Sequence, residues 1–366
     1  GTAGDVVAIK DYANTFDTNN VTLVVNGSDK IGGSATNGIL STEGIAVTLV
    51  FIDSTQGWLV TDSGLQDEAP GPQFIAASGG TETTSPCGNF KVHTFTGPGT
   101  FTVCSVGNAA GSTTIDYLVV AGGGGGGIGA GNSYASGGGG AGGMRFSFPN
   151  PAIGGTPVSA QGYPITIGAG GGQGAESNAG CNGSNSTALS ITSTGGGGGA
   201  TGPGNVSGRS GGSGGGAGYS GQSAGTGNSP PTTPSQGNDG GLSPISPGPN
   251  NPGINAGAGG GGHAGVGEPN AAYTTQSGSA GGAGSPSTIG DSPALPGGRV
   301  YAGGGAGSQA PSCRNAGIPG GGGQGLPNSA TTRNGVVNTG GGGSGGWPTG
   351  YGSGGSGVVI IRYKFQ

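Results

Sequence analysis

The sequence predicts a mostly irregular, all-β protein. A small N-terminal β module is followed by a bundle of polyglycine type II helices, left-handed and polyproline-II-like, which β-strands bracket. Three observations predict it. Glycine and proline make up 123 of the 366 residues, a third of the chain, against roughly 12% in ordinary proteins. The glycines are uneven, 17 in residues 1–120 and 82 in residues 121–366, and in the second region they gather into discrete runs. Apolar strand-type sequences, TIDYLVVA and VVIIRYKF, stand on either side of those runs.

Residues 1–66 read as the β module. Its strand-type runs are VVAIKDY from Val6, VTLVV from Val21, VTLVFI from Val47 and WLV from Trp58, separated by turn signals such as Asn26-Gly27. A unit so small, without a disulfide pattern, is short of core. It is therefore expected to gain stability by association, as a homotrimer or on another protein. Residues 67–120 read as a linker, DEAPGP at Asp67–Pro72, and a β-hairpin base in which FKVHTF and TFTVCSV pair about residues 97–99. Residues 121–357 are the bundle with its variable connecting loops, and 358–366 the closing strand.

Within 121–357 the dense segments fall at about 121–127, 137–143, 168–174, 195–199, 211–218, 257–262, 278–284, 302–307, 320–325 and 340–346. They form a repeat of composition at ~24-residue spacing, and not of sequence. Collagen requires glycine at every third position, which runs of four to six glycines break. A flexible linker gives no reason for bracketing strands or clustered runs. A polyglycine helix makes no internal hydrogen bonds, so its N–H and C=O groups must pair with neighbouring helices. Side-chain-free rods approach closely enough to do so. The interruptions Ala141, Ser213, Ala217 and Ser344 are expected at the rim, and a bulky residue inside a run should break the lattice.

Charge and chemistry exclude several functions. Residues 1–86 carry ten acids and two lysines, residues 87–366 five acids and eight bases. No lysine lies between Lys91 and Lys364 and the arginines are scattered, so there is no basic stripe for phosphates and no nucleic-acid partner is expected. Beginning at Gly1, with no leader and no run of 18 apolar residues, the chain is expected to be processed or a fragment, without membrane insertion. Cys87, Cys104, Cys181 and Cys313 match neither a zinc-ligand pair nor a disulfide scaffold. His93 and His263 belong to no metalloprotease motif, and no nucleophile has a patterned base. Neither an enzyme nor a cofactor or metal is expected.

The pattern of YLVVAGGGGGG at Tyr117, YPITIGAGGGQG at Tyr163 and GGSGVVIIRYKF at the end resembles the glycine-rich adhesins at the tips of T-even-type phage tail fibres. It is similar, too, to glycine-rich domains of marine-phage tail proteins. The likeness covers about residues 87–366. It implies a polyglycine-helix sandwich in the virion, outside the cell, whose distal loops bind a bacterial outer-membrane protein or surface glycan. Other tail-fibre subunits are the implied assembly partners. The N-terminal module looks more like the small β modules of fibre shafts than like the adhesin's own assembly domain.

If successive rods run antiparallel, the connections 128–136, 175–194, 219–256, 285–301 and 326–339 are distal. Proline stiffens the longest of them, while amides, hydroxyls and tyrosine rings offer adaptable contacts. The receptor-binding candidates are therefore Tyr134, Asn182, Tyr219, Gln236, Asn238, Asp239, Asn250 and Arg333. Trp347 and Tyr351 are expected to cover the rods' flank, and Asp116, Arg362 and Lys364 to form an exposed cross-strand charge set. The competing reading is a structural glycine-rich filament or matrix protein; an ice-binding protein comes third.

Overall fold

The computed structural model describes residues 1–65, 72–86, 88–129, 135–148, 155–175, 178–202, 206–218, 221–243, 256–270, 278–290, 298–308, 321–323, 333–346 and 351–366. The chain divides into two compact units, Gly1–Gln73 and Phe74–Gln366. The regular elements described are all strands.

In the first unit the strands are β1 (Val6–Lys10), β2 (Val21–Leu23), β3 (Gly38–Leu40), β4 (Ile45–Asp53) and β5 (Gly57–Leu65). They form an antiparallel sheet in the order β1-β4-β5 and a separate β2-β3 ladder. Alternation along β4 buries Val47, Leu49 and Phe51, and Phe51 meets its cross-strand partner Trp58 edge to face, ring centroids 5.5 Å apart. Asp11 is buried after β1 and accepts the N–H groups of Thr15, Phe16 and Gly44 at 2.9–3.1 Å. Burial alone would raise its pKa, but these donors outweigh it and hold the carboxyl below its ordinary range.

The second unit begins as a β-sandwich. Its strands are β6 (Ala76–Ser78), β7 (Thr81–Thr84), β8 (Phe90–Phe95), β9 (Gly99–Ser105), β10 (Thr114–Val120), β11 (Met144–Phe146), β12 (Thr156–Pro157) and β13 (Gly162–Ile165). Then follow β14 (Ser186–Ala188), β15 (Ile191–Ser193), β16 (Ser285–Ser287), β17 (Arg299–Tyr301) and β18 (Val358–Lys364). One sheet runs β11-β10-β18-β8-β7 with β12 beside β10, and a second runs β13-β9-β6. Phe101, Val103 and Ile165 of the second share a buried core with Phe95, Ile115, Val119, Val359 and Ile361 of the first.

The expected hairpin of FKVHTF with TFTVCSV does not form. β8 pairs with β7 and β18, while β9 pairs with β6 and β13, so both the β6–β7 and β8–β9 connections cross between sheets. The tight crossing at Gly79-Gly80 uses positive φ of 114° and 64°, a region glycine enters without strain. A side chain at Gly79 would strike the Thr100 carbonyl.

Beyond the sandwich, the glycine segments pair through backbone alone, and segment 121–127 shows the rule. Its N–H groups donate in rotation to three neighbours, all running the opposite way: Gly124 to Gly140, Gly125 to Cys181, and Gly126 to Gly352, at 2.8–2.9 Å. Three residues earlier, Ala121, Gly122 and Gly123 reach the same neighbours at Gly143, Ser184 and Gly355. Its carbonyls accept from three further segments running parallel to it. Gly196 and Gly199, Gly171 and Gly174, and Gly343 and Gly346 bond to residues 122 and 125, 123 and 126, and 124 and 127 respectively. Six neighbours thus surround one side-chain-free segment, and both backbone groups of every glycine in it are satisfied.

Segment 121–127 leaves β10, while the antiparallel segments 137–143, 180–184 and 352–357 run back into β11, β14 and β18. One end of the block is therefore the sheets, the other the far end. Two expectations are corrected here. Ala141, Ser213, Ala217 and Ser344 are fully buried and not at the rim. Several connections also contain segments of their own, because 180–184, 206–210, 222–228, 236–242 and 265–270 take part in the hydrogen bonding despite fewer glycines.

Candidate functional site

Of connection 128–136 the described residues are 128–129 and 135–136, and Gly129 donates to Gly346 beyond the end of segment 121–127. Tyr134, Tyr219 and Asn250 lie outside the described residues, as do Trp347, Cys87 and Cys313. Connection 175–194 is not one distal loop: Ala175 pairs with Asn178, residues 180–184 return as a segment, and the β14-β15 hairpin closes it at the sheet end. Connection 219–256 likewise descends along 222–228, turns beside Thr194 and β11, and rises again along 236–242. The described parts of connection 285–301, residues 285–290 and 298–301, are at the sheet end, where Ile289 and Tyr301 pack with Val358 and Ile360. In the last connection Arg333 accepts from Ser344, Gly335 donates to Ser353 and Val336 donates to Gly321.

These placements decide what the amides do. Gln236 is fully buried: its side-chain oxygen accepts from the Thr194 N–H at 2.8 Å and its nitrogen donates to the Pro230 carbonyl at 3.0 Å. Asn182 accepts from Gly198 N–H and donates to the Ser210 carbonyl, filling the place of a missing backbone neighbour. Asn185 accepts from Gly195 N–H in the same way. Asn238 donates to the carbonyls of Gly262 and His263, and the exposed Asp239 accepts from Gly227 N–H at 2.7 Å. Gln222, which sequence reasoning missed, finishes another segment by accepting from Gly218 N–H and donating to the Thr201 carbonyl, and Asn270, missed too, donates to the Ala256 carbonyl and the Ser243 hydroxyl. A carboxamide carries the same donor and acceptor as a peptide group, so it closes the lattice where a segment ends. Arg333 is buried, its carbonyl accepting from Ser344 N–H.

The charge set at the sheet differs from expectation as well. Arg362 is buried, ion-paired with Asp116 at 3.2 Å across the β10-β18 ladder. Its guanidinium lies between the rings of Phe148 and Phe90, 3.7 and 4.6 Å from their centroids. His93 is locked inside the sandwich between the Gly79 carbonyl at 2.7 Å and the Tyr363 hydroxyl at 3.2 Å. Cys104 and Cys181 are free, exposed thiols. No cluster of three or more His, Cys, Asp or Glu groups suited to a metal occurs among the described residues, and among them no helix is long and apolar enough to cross a membrane.

A cavity of about 330 Å³ opens at the sheet end between β11, residues 233–235 and His263. His263 stands edge-on to Phe146, ring centroids 5.8 Å apart, and its Nδ1 is 2.6 Å from the Ser285 hydroxyl. Burial holds its pKa below the usual value, against the opposing pull of the Ser235 backbone. Sequence reasoning noted His263 but could not find its neighbours, which come from three separate stretches of chain.

A glycine-rich block joined to a β-sandwich, spanning most of the second unit, defines the class. The glycine-rich domain family matches residues 94–364, and the chain belongs to it. None of the curated proteins compared with the chain matches it.

Proposed function

We propose that the glycine segments are polyglycine type II helices, and that they form the pedestal of an extracellular receptor-binding module of the phage tail-fibre tip kind. In this reading the loops at the far end recognise a bacterial outer-membrane protein or surface glycan, and other fibre subunits hold the chain in the virion. The observation that carries it is the period-three hydrogen bonding of segment 121–127 to six neighbours, three in each direction. A backbone lattice of that kind fixes both ends of every segment and leaves the far-end connections free to differ in length and sequence. Residues 244–255, PISPGPNNPGIN, are the longest polar and proline-rich stretch between two segments that meet there.

A further observation favours this over a filament. The outer segments carry Arg209, Ser210, Ser223, Thr226, Asp239 and Glu268 on their exposed sides. These long or polar side chains stand where a further segment would have to pack, which favours a discrete body over a growing lattice. The test replaces residues 244–255 with a Gly-Ser link of equal length, leaving segments 236–242 and 256–262 intact. Attachment to susceptible bacteria should fall to background at an unchanged melting temperature. Unchanged attachment, or growth of the wild-type chain into fibres by sedimentation, refutes the reading.

A further inference from the structure

The cavity beside His263 brings together three polar groups that the fold leaves unused. Among the described residues, the Arg145 guanidinium, the Tyr117 hydroxyl and the Thr233 hydroxyl make no hydrogen bond, and Arg145 has no ion-pair partner. Tyr117 is 7% exposed, so its ring is fixed in the sandwich. Burial pushes its pKa up, against the nearby Arg145 charge, and keeps the hydroxyl protonated as a donor. Phe146 and Pro234 supply apolar wall, and His263 is a fixed strut, held by Ser285 at Nδ1 and by the Ser235 backbone.

We propose that this cavity binds a carboxylate-bearing pyranose, a uronic acid residue. A guanidinium fork matches a carboxylate through two parallel hydrogen bonds. The two hydroxyls provide partners for ring hydroxyls, and the phenyl ring covers the apolar C–H face of a sugar. A volume of about 330 Å³ lies at the lower end of ligand-pocket sizes, ~300–1,000 Å³, which suits one ring and not an extended chain. The site lies at the sheet end, opposite the far-end loops, so it stands or falls independently of their role.

The test is isothermal titration of the full chain with glucuronic acid, with glucose and benzoate as the neutral-sugar and apolar-acid controls. Glucuronate should bind, and both controls should bind at least ~tenfold more weakly, since each lacks one of the recognised features. Arg145→Gln should weaken glucuronate at least ~tenfold with the melting temperature unchanged, because Arg145 supports nothing else in the fold. Arg145→Lys, which keeps the charge without the fork, should fall between. Absence of glucuronate binding, equal binding of either control, or full affinity in Arg145→Gln overturns the proposal.

Discussion

Replacing Gly139 by alanine tests the backbone lattice at a crowded point beside its central segment. A Cβ there would lie 2.7 Å from the Gly124 carbonyl carbon and 2.8 Å from the Gly125 oxygen, and closer still to the Gly124 oxygen. Non-bonded carbons settle at ~3.5–4.0 Å, so the two segments must part by roughly 1 Å. That gap lies along the row in which Ala121, Gly124 and Gly127 donate to Gly143, Gly140 and Gly137, and stretches bonds of 2.8–3.0 Å past their limit. Each lost bond costs ~0.5–1.5 kcal/mol net and more where a dry group is stranded, so the variant should lose about 3–5 kcal/mol. For a unit of this size that is roughly 6–10 °C in melting temperature. Gly172→Ala is the control, since a Cβ there meets nothing within 4 Å. Removing glycine's freedom from the unfolded chain should leave it neutral or ~0.4–1 kcal/mol more stable. Thermal melts of the two variants decide the matter: equal melting temperatures would refute the lattice argument.

Three further outcomes are expected. The Ser213 and Ser344 hydroxyls are buried without partners, so Ser213→Ala and Ser344→Ala should each raise stability by about 1 kcal/mol in urea unfolding. Gln236→Ala strands the Thr194 N–H and the Pro230 carbonyl and should cost ~2–4 kcal/mol, whereas a receptor contact would change attachment at constant melting temperature. His263 has a folded pKa depressed by burial, so its unfolded form takes up a proton first on acidification. Stability should be full above an unfolded pKa of ~6.5 and fall as the pH drops below it; His263→Gln should flatten that part of the stability profile.

The glycine runs and their bracketing strands were legible because a segment with six neighbours tolerates almost no side chain, which leaves an unmistakable composition. Segments 206–210, 222–228 and 265–270 were not legible, for the converse reason. Lying at the outside, they need bare backbone only where they face inward, and their exposed positions hold Arg209, Thr226 and Glu268 as readily as glycine. Missing them reversed the end to which Gln236 was assigned. The strands of the base were visible as β8 and β9, yet alternation identifies a strand and not its partner. The partners of β8 and β9 come from elsewhere in the chain, β7 and β18 for one and β6 and β13 for the other, and local sequence does not name them. Nor does spacing reveal that Arg145, Thr233 and Tyr117 converge.

The six-neighbour arrangement around segment 121–127 also governs the order of events in synthesis. Its partners lie as near in the chain as Gly137 and as far as Gly355, and β10 pairs not only with the nearby β11 and β12 but with β18 at the other end of the unit. Contacts at such separations carry the full entropy of loop closure before any of them rewards it. Two of its six neighbours, 340–346 and 352–357, are therefore the last to be synthesised, and the central segment's set of partners is complete only when they have emerged. Within the glycine block, what waits for them is bare peptide groups that water solvates, whereas the apolar side chains of the unit are gathered in the sandwich and at its junction with the block.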